Sequence, residues 1–238
     1  MAILVAHRGY SAVAPENTLA ALRAALGAGV SACEVDVRVT SDGELVLMHD
    51  ETVDRTTDGS GRVRELALSQ IRALDAGSWK GEEFRGERVP TLREALEVME
   101  GGHLVVEVKD EGIEGRLART IRSAGAQGRT TVISFSLETC RNVRKLIPDL
   151  GVLWLLGRKY EGAISTALEA GVQGLDVHHE AITPEFAEAV LRRGLSLWAW
   201  TVEEPEEAER LEGLGVSVVT SDDPIRLRRE PCPAIPSA

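Results

Sequence analysis

Cysteine is scarce: Cys33, Cys140 and Cys232 are the three in 238 residues, far apart and odd in number. That spacing offers neither a disulfide framework nor a zinc site, and it fits reduced thiols in a cytosolic protein. Long apolar runs are missing too, since nothing approaches the roughly 18 continuous apolar residues of a membrane span. The opening MAILVAHRGY is apolar only as far as Ala6 and has no basic lead or cleavage site. No signal peptide or membrane anchor is therefore expected, and the expected location is cytoplasmic. Positive charge is short, with 27 Lys and Arg against 38 Asp and Glu and a net charge of −11. A global negative field argues against nucleic acid or an anionic membrane as the main partner. A small anionic substrate stays open, because a local cation or metal dominates its own site. No G-x-G-x-x-G or Walker pattern follows the first apolar run, which counts against a nucleotide-binding sheet.

What is present alternates. Apolar runs rich in Val, Ile and Leu recur at 3–7, 33–37, 104–108, 131–135, 152–156, 174–177, 195–200 and 216–220. Between them, apolar residues three and four apart predict helices at 17–29, 91–100, 115–125, 137–147, 161–171, 184–194 and 205–215. Helix starts are marked by Asn17-Thr18, Thr91, Ser136 and Thr183-Pro184, and several ends by a glycine that leads into the next strand. Eight strands alternating with helices imply an α/β fold, a closed (β/α)8 TIM barrel forming one catalytic domain over residues 1–230. Residues 51–89, rich in Thr, Gly, Glu and Arg, read as a small insertion after the second strand, packed over one edge of the barrel, with one short amphipathic piece at 66–75. The tail, 231–238, is expected to be disordered.

A further apolar run, LVLMH at 45–49, follows Asp42-Gly43. Asp-Gly at the centre of a two-residue turn is a strong hairpin signal. The run is therefore expected to return antiparallel to the second strand and not to be a ninth stave. A two-residue turn pairs Ser41 with Glu44 and sets Asp36 opposite His49, with Glu34 on the same face.

Catalytic groups of such barrels sit at the C-terminal ends of the strands. The first strand ends at His7-Arg8, the second reaches the rim near Glu34 and Asp36, and the third ends with Glu107 and Lys109 on one face. Glu34, Asp36 and Glu107 are three hard oxygen donors, which suit one divalent ion, Mg2+ or Ca2+. Arg8 and Lys109 either pair with those carboxylates or grip an anionic oxygen. His7 and His49 supply two groups that titrate near neutrality, as a general acid–base pair requires. A lone rim histidine is usually structural, and a lone strand-end carboxylate is usually an ion pair or cap. The coincidence of complementary groups at one rim is what suggests metal-assisted attack on a phosphodiester. The VHHE stretch at 177–180 reads as a strand-end loop.

The motifs HRGYSAVAPENT, EVDVRVTSDGELVLMHDETVDRTTDGSG, LDAGSW, VPTLREAL, VEVK, WTV and TSDDP, in order from about residue 5 to 225, resemble those of the glycerophosphodiester phosphodiesterases. The resemblance implies a metal-dependent barrel that hydrolyses a small-molecule glycerophosphodiester to sn-glycerol 3-phosphate and an alcohol. It implies catalytic roles for His7 and His49, phosphate binding by Arg8 and Lys109, metal ligation by Glu34, Asp36 and Glu107, and a pocket wall at Trp200. Similarity to related phospholipases adds a route through a cyclic phosphate. Two positions depart from the family pattern: Glu203 stands where Trp-Thr-Val is usually followed by Asn, and Ser221 where Thr is usual. The nearest alternative is hydrolysis of lysophospholipids in the manner of a lysophospholipase D, for which Trp79 and Phe84 are the only obvious apolar material. A sugar isomerase on the same fold has less need of Arg8 beside His7.

Overall fold

A computed structural model gives the fold, with residues 2–158 and 161–228 described. In chain order, β1 (Ile3–Ala6) leads to α1 (Leu19–Gly27), and β2 (Ala32–Val39) turns back into β3 (Leu45–Leu47). The short α2 (Leu68–Ile71) and then α3 (Leu92–Val98) precede β4 (His103–Val108), α4 (Glu114–Ser123) and β5 (Thr130–Ser134). The rest alternates: α5 (Leu137–Leu146), β6 (Gly151–Leu156), α6 (Ala163–Ala170), β7 (Gly174–His178), α7 (Pro184–Arg192), β8 (Ser196–Trp200), α8 (Pro205–Gly213) and β9 (Val218–Ser221). Strand order is β1-β9-β8-β7-β6-β5-β4-β2, and a β1–β2 pairing at Ala6 and Cys33 closes the ring. All of these pairings are parallel, so the eight-stranded TIM barrel is present. The expected tail at 231–238 and Cys232 lie outside the described residues. Among the described helices, none is long and apolar enough to cross a membrane.

The two-residue period of the strands sorts their side chains. Val35, Val37, Val106 and Val132 point outward and pack under the helices in the main core. Val5, Ala32, Val105, Ile133, Leu153, Leu155 and Val218 fill the barrel, with Trp198 and Trp200 packed against them. Ala32 and Val105 lie inside, so Glu34 and Asp36 on β2, and Glu107 on β4, face inward nearer the C-terminal rim. Asp36 and Glu107 are register partners.

The helix starts expected from sequence are caps. Thr18, Thr91, Ser136 and Thr183 each accept a backbone N–H in the first turn, and Thr91 and Glu94 form a capping box. Each such cap contributes about 1 kcal/mol. Cys33 and Cys140 are buried and free, and burial pushes both thiols up to about 12, which leaves them unreactive.

The hairpin differs from expectation. Strand β3 is antiparallel to β2, but Val37 pairs with Leu47, Arg38 with Val46 and Val39 with Leu45. That register makes the turn three residues, Ser41–Gly43, and places Asp36 opposite Met48, not His49. Gly43 has φ +87° and donates its N–H to Thr40 O at 3.0 Å, a turn that ends on a left-handed glycine. Asp42 is diverted as well. Its carboxylate accepts from Thr40 Oγ1 at 2.6 Å and from Leu68 N at 3.0 Å, which ties the turn to the 51–89 segment. In that segment Val53, Val63, Ile71, Ala76 and Val89 bury against Val46 and Met48 of the hairpin as a separate apolar cluster.

Candidate active site

The turn after β1 carries the first group of side chains. Arg8 and Gly9 are both left-handed, at φ +55° and +76°. A left-handed arginine costs roughly 1–2 kcal/mol. In return the chain doubles back so that Arg8 N donates to Glu34 Oε2 at 3.0 Å. Gly9 has no substitute here, because a Cβ would sit 2.6 Å from Ala21 Cβ and 2.7 Å from the Ala21 carbonyl carbon. His7 Nδ1 donates to Asp222 Oδ1 at 2.6 Å, and its Nε2 lies 3.9 Å from Glu34 Oε2.

His49 arrives by a different route from the one its sequence position suggests. The last ladder bond runs from Met48 N to Asp36 O at 3.0 Å. The chain then leaves the strand, and Arg38 holds the His49 carbonyl through Nε at 3.1 Å and Nη2 at 2.9 Å. His49 Nδ1 donates to Asp50 Oδ1 at 2.7 Å. Burial lowers the His49 pKa below its usual value against the opposing fields of Asp36 and Asp50. Burial also works against charge on His7, but the hydrogen bond to Asp222 and the field of Glu34 outweigh it and raise that imidazole. The two histidines thus differ in basicity in opposite directions.

Ligand atoms of Glu34, Asp36 and Glu107 lie within 4.8 Å of one another, all buried, at 3%, 0% and 8% exposure. Glu34 Oε1 has no hydrogen-bond partner. Asp36 Oδ1 meets Lys109 Nζ at 3.0 Å as an ion pair, off the hydrogen-bond direction. Burial and the neighbouring Asp36 push Glu34 and Glu107 above the usual carboxylate range. Burial pushes Asp36 the same way, but Lys109 and Arg8 outweigh it and hold that group low. Three buried carboxylates crowded so closely resist ionising together unless a cation joins them. The unpartnered oxygen and the all-oxygen donor set fit a hard divalent ion, so the cluster could hold a metal. Lys109 also donates to Glu107 Oε1 at 2.7 Å, and Arg8 Nε lies 3.3 Å from Asp36 Oδ2.

A cavity of about 280 Å³ opens over this cluster. His7, Arg8, Glu34, His49, Glu107 and Lys109 line one side, and Ile133, Phe135, Leu155, Asp176 and Trp200 the other. Of the residues expected to act in catalysis, phosphate binding or metal ligation, and Trp200, all but Asp36 meet the cavity, and Asp36 lies buried beneath it. Trp200 is fixed by Nε1 donating to Asp176 O at 3.3 Å and by edge contacts with Phe135 and His178. In the VHHE stretch, His178 ends β7, and His179 starts a 3-10 turn with Nδ1 donating to Glu207 at 2.8 Å.

Several neighbours carry no role in the sequence reading. Asn17, read as part of a helix start, is buried and left-handed at φ +57°. It donates to Asp36 Oδ2 at 2.7 Å and accepts from Asp36 N at 3.0 Å. Arg55 reaches from the 51–89 segment to Glu16 at 2.8 Å, which holds Arg8, and to Asp50 at 2.7 Å, which holds His49. Glu203, the departure in the Trp-Thr-Val motif, accepts from Asp222 N at 2.9 Å and Ser221 Oγ at 3.3 Å, so it fixes the loop that holds Asp222.

Comparison with known proteins converges on one group. The family model described as the Glycerophosphoryl diester phosphodiesterase family matches residues 7–226. A glycerophosphodiester phosphodiesterase of Caldanaerobacter subterraneus subsp. tengcongensis is 38% identical over 231 residues, covering 93% of this chain and 94% of that one. Among solved structures, an Oleispira antarctica phosphodiesterase in complex with its product sn-glycerol-3-phosphate has a TM-score of 0.88 at 31% identity, covering 94% of each chain. A glycerophosphodiester phosphodiesterase of Agrobacterium tumefaciens has a TM-score of 0.84 at 29% identity, covering 95% of this chain and 99% of that one.

Proposed function

The chain belongs to the glycerophosphoryl diester phosphodiesterase family, and on that premise we propose that it hydrolyses glycerophosphodiesters to sn-glycerol 3-phosphate and an alcohol. One observation supports this most: three buried carboxylates within 4.8 Å of one another lie at and just beneath a cavity that two histidines and two fixed cations line. Glu34, Asp36 and Glu107 would hold one Mg2+ or Ca2+ ion, which when bound would supply charge stabilisation at the phosphoryl oxygens. Lys109 has three N–H donors. Glu107 engages one at 2.7 Å and Asp36 holds the ammonium as an ion pair at 3.0 Å, which leaves donor capacity for a phosphate oxygen. Arg8 brings a second cation to the same oxygens. His7 and His49 exchange protons, one accepting from the nucleophile and one donating to the leaving alcohol. Asp222 and Asp50 each fix the Nδ1 of their histidine as the proton-bearing nitrogen and leave Nε2 for the substrate. Trp200 closes the pocket beside the carbon face of the glycerol. Trp79 and Phe84, the apolar material an acyl chain needs, are absent from the cavity lining, so no observation favours the lysophospholipid alternative.

The experiment is product identification with glycerophosphocholine as substrate. The expected products are sn-glycerol 3-phosphate and choline. Release of phosphocholine and glycerol, or faster turnover of lysophosphatidylcholine, contradicts the proposal. Asn17 offers a second test, because glycine tolerates its left-handed backbone while removing both bonds to Asp36. Asn17→Gly is expected to raise the metal concentration for half-maximal activity by about 10–100-fold.

A further inference from the structure

One charged side chain in the cavity has no part in the chemistry above. Asp176 lies on β7, whose register pairs it with Leu155 of the barrel interior, so it points inward. It is 1% exposed, and its Oδ1 has no hydrogen-bond partner. Such an oxygen is costly, since a buried polar atom without a partner forfeits its solvation and receives nothing in exchange. Burial, reinforced by the field of Glu107, pushes the carboxyl up to about 8. The carboxyl is not one of the three that could share a metal. A group kept at such a cost, facing a ligand cavity, has its partner in the ligand.

The topology says which part of the ligand. Counting around the barrel, β7 is four strands from β2 in either direction, so Asp176 faces Glu34 and Asp36 across the mouth. The β1–β2–β4 side carries both cations and receives the phosphate. The opposite side is Ile133, Phe135, Leu155 and Trp200, with Asp176 as its only charged member in the cavity lining. A second anionic group cannot sit there beside a carboxyl, and a purely apolar group leaves Asp176 unpartnered. A hydroxyl satisfies it, because a hydroxyl donates to a carboxylate and accepts from a carboxylic acid equally well. We infer that Asp176 is a specificity residue, binding the polyol end of the substrate through a hydroxyl hydrogen bond across the cavity from the phosphate. This deepens the proposed function and rests on it.

The test compares Asp176→Leu and Asp176→Asn with the unsubstituted enzyme on two diesters, glycerophosphocholine and the hydroxyl-free bis(4-nitrophenyl) phosphate. Leucine is expected to lower kcat/KM for glycerophosphocholine by about 10- to 100-fold and to cost at least tenfold less on the hydroxyl-free diester. Asparagine keeps a donor and an acceptor and is expected to stay within about fivefold of the unsubstituted enzyme on glycerophosphocholine. Leucine also removes the unpaired oxygen, so its Tm is expected to rise by a few degrees, whereas a structural role predicts a fall. Equal losses on both diesters, or a lowered Tm for both variants, overturns the inference. A failure of the proposed reaction itself is separate, because it appears in the unsubstituted enzyme as no sn-glycerol 3-phosphate at all.

Discussion

Replacing His7 or His49 with alanine is expected to lower kcat by about 10²- to 10⁴-fold, the usual worth of a positioned acid or base. Neither imidazole contributes to the core, so the Tm should change little and KM should stay within a fewfold. A mutation that lowers kcat and kcat/KM together removes an interaction made only in the transition state. Near-normal turnover in either variant would remove that histidine from the chemistry. The loop beyond β9 supplies a finer check on His7. Asp222 is one of the two influences that raise the His7 pKa against burial. In Asp222→Asn the imidazole keeps a hydrogen-bonding neighbour but loses the negative charge, so its pKa falls. The limb of the kcat/KM profile that reports His7 should therefore move to lower pH, while the His49 limb stays in place. A limb that does not move would mean Asp222 only packs the loop.

The second large effect belongs to the acidic cluster. Glu34→Gln or Glu107→Gln is expected to reduce turnover by about 10³-fold or more, since a bound cation contributes several kcal/mol at the phosphoryl oxygens. The same variants carry a readout independent of catalysis. An ion that binds only the folded protein stabilises it by ~2.7 kcal/mol at a hundred times its Kd. The unsubstituted protein should show a rise in Tm with added Mg2+ or Ca2+, and the Gln variants should lose most of that rise. Without metal the order reverses. Removing one of three crowded carboxylates relieves repulsion, so Glu34→Gln should melt at or above the unsubstituted protein in EDTA. A metal-induced rise that survives both substitutions would place the ion elsewhere.

Much of this site was legible in the sequence because local rules governed it. Glu34 and Asp36 betray themselves as carboxylates in an apolar strand, and strand period sets them on one face; the β2–β4 register then brings Glu107 beside them. Caps at Thr18, Thr91, Ser136 and Thr183 follow from residue type and position. The hairpin shows where local rules stop. Asp42-Gly43 does turn the chain, but Asp42 is bound by Thr40 and Leu68, and the turn closes over three residues. Asp36 consequently faces Met48. His49 still reaches the site, because Arg38 pins its carbonyl after the strand has ended. His49 thus lines the cavity without the cross-strand pairing with Asp36 that a two-residue turn would give.

Other partners were invisible for physical reasons. Asp222 holds His7 across 215 positions, a distance at which no sequence pattern operates. Asn17 was masked by its neighbour, since either Asn17 or Thr18 can start a helix and Thr18 is the one that does. Asp176 carries a signal of the same kind, a carboxylate in the apolar run 174–177, but a single carboxylate in a strand is usually an ion pair or cap, and no complementary group adjoins it in sequence. Glu203 reads as an anomaly in its motif until the fold brings Ser221 and the Asp222 backbone within its reach.

In the proposed reaction, hydrolysis depends on one divalent ion that Glu34, Asp36 and Glu107 would hold. That dependence is tested most directly by following sn-glycerol 3-phosphate release from glycerophosphocholine in EDTA, and again after Mg2+ or Ca2+ is restored in excess. The predicted result is loss of turnover with the chelator and recovery with the ion. Full turnover in EDTA, with metal content confirmed to be nil, would contradict it.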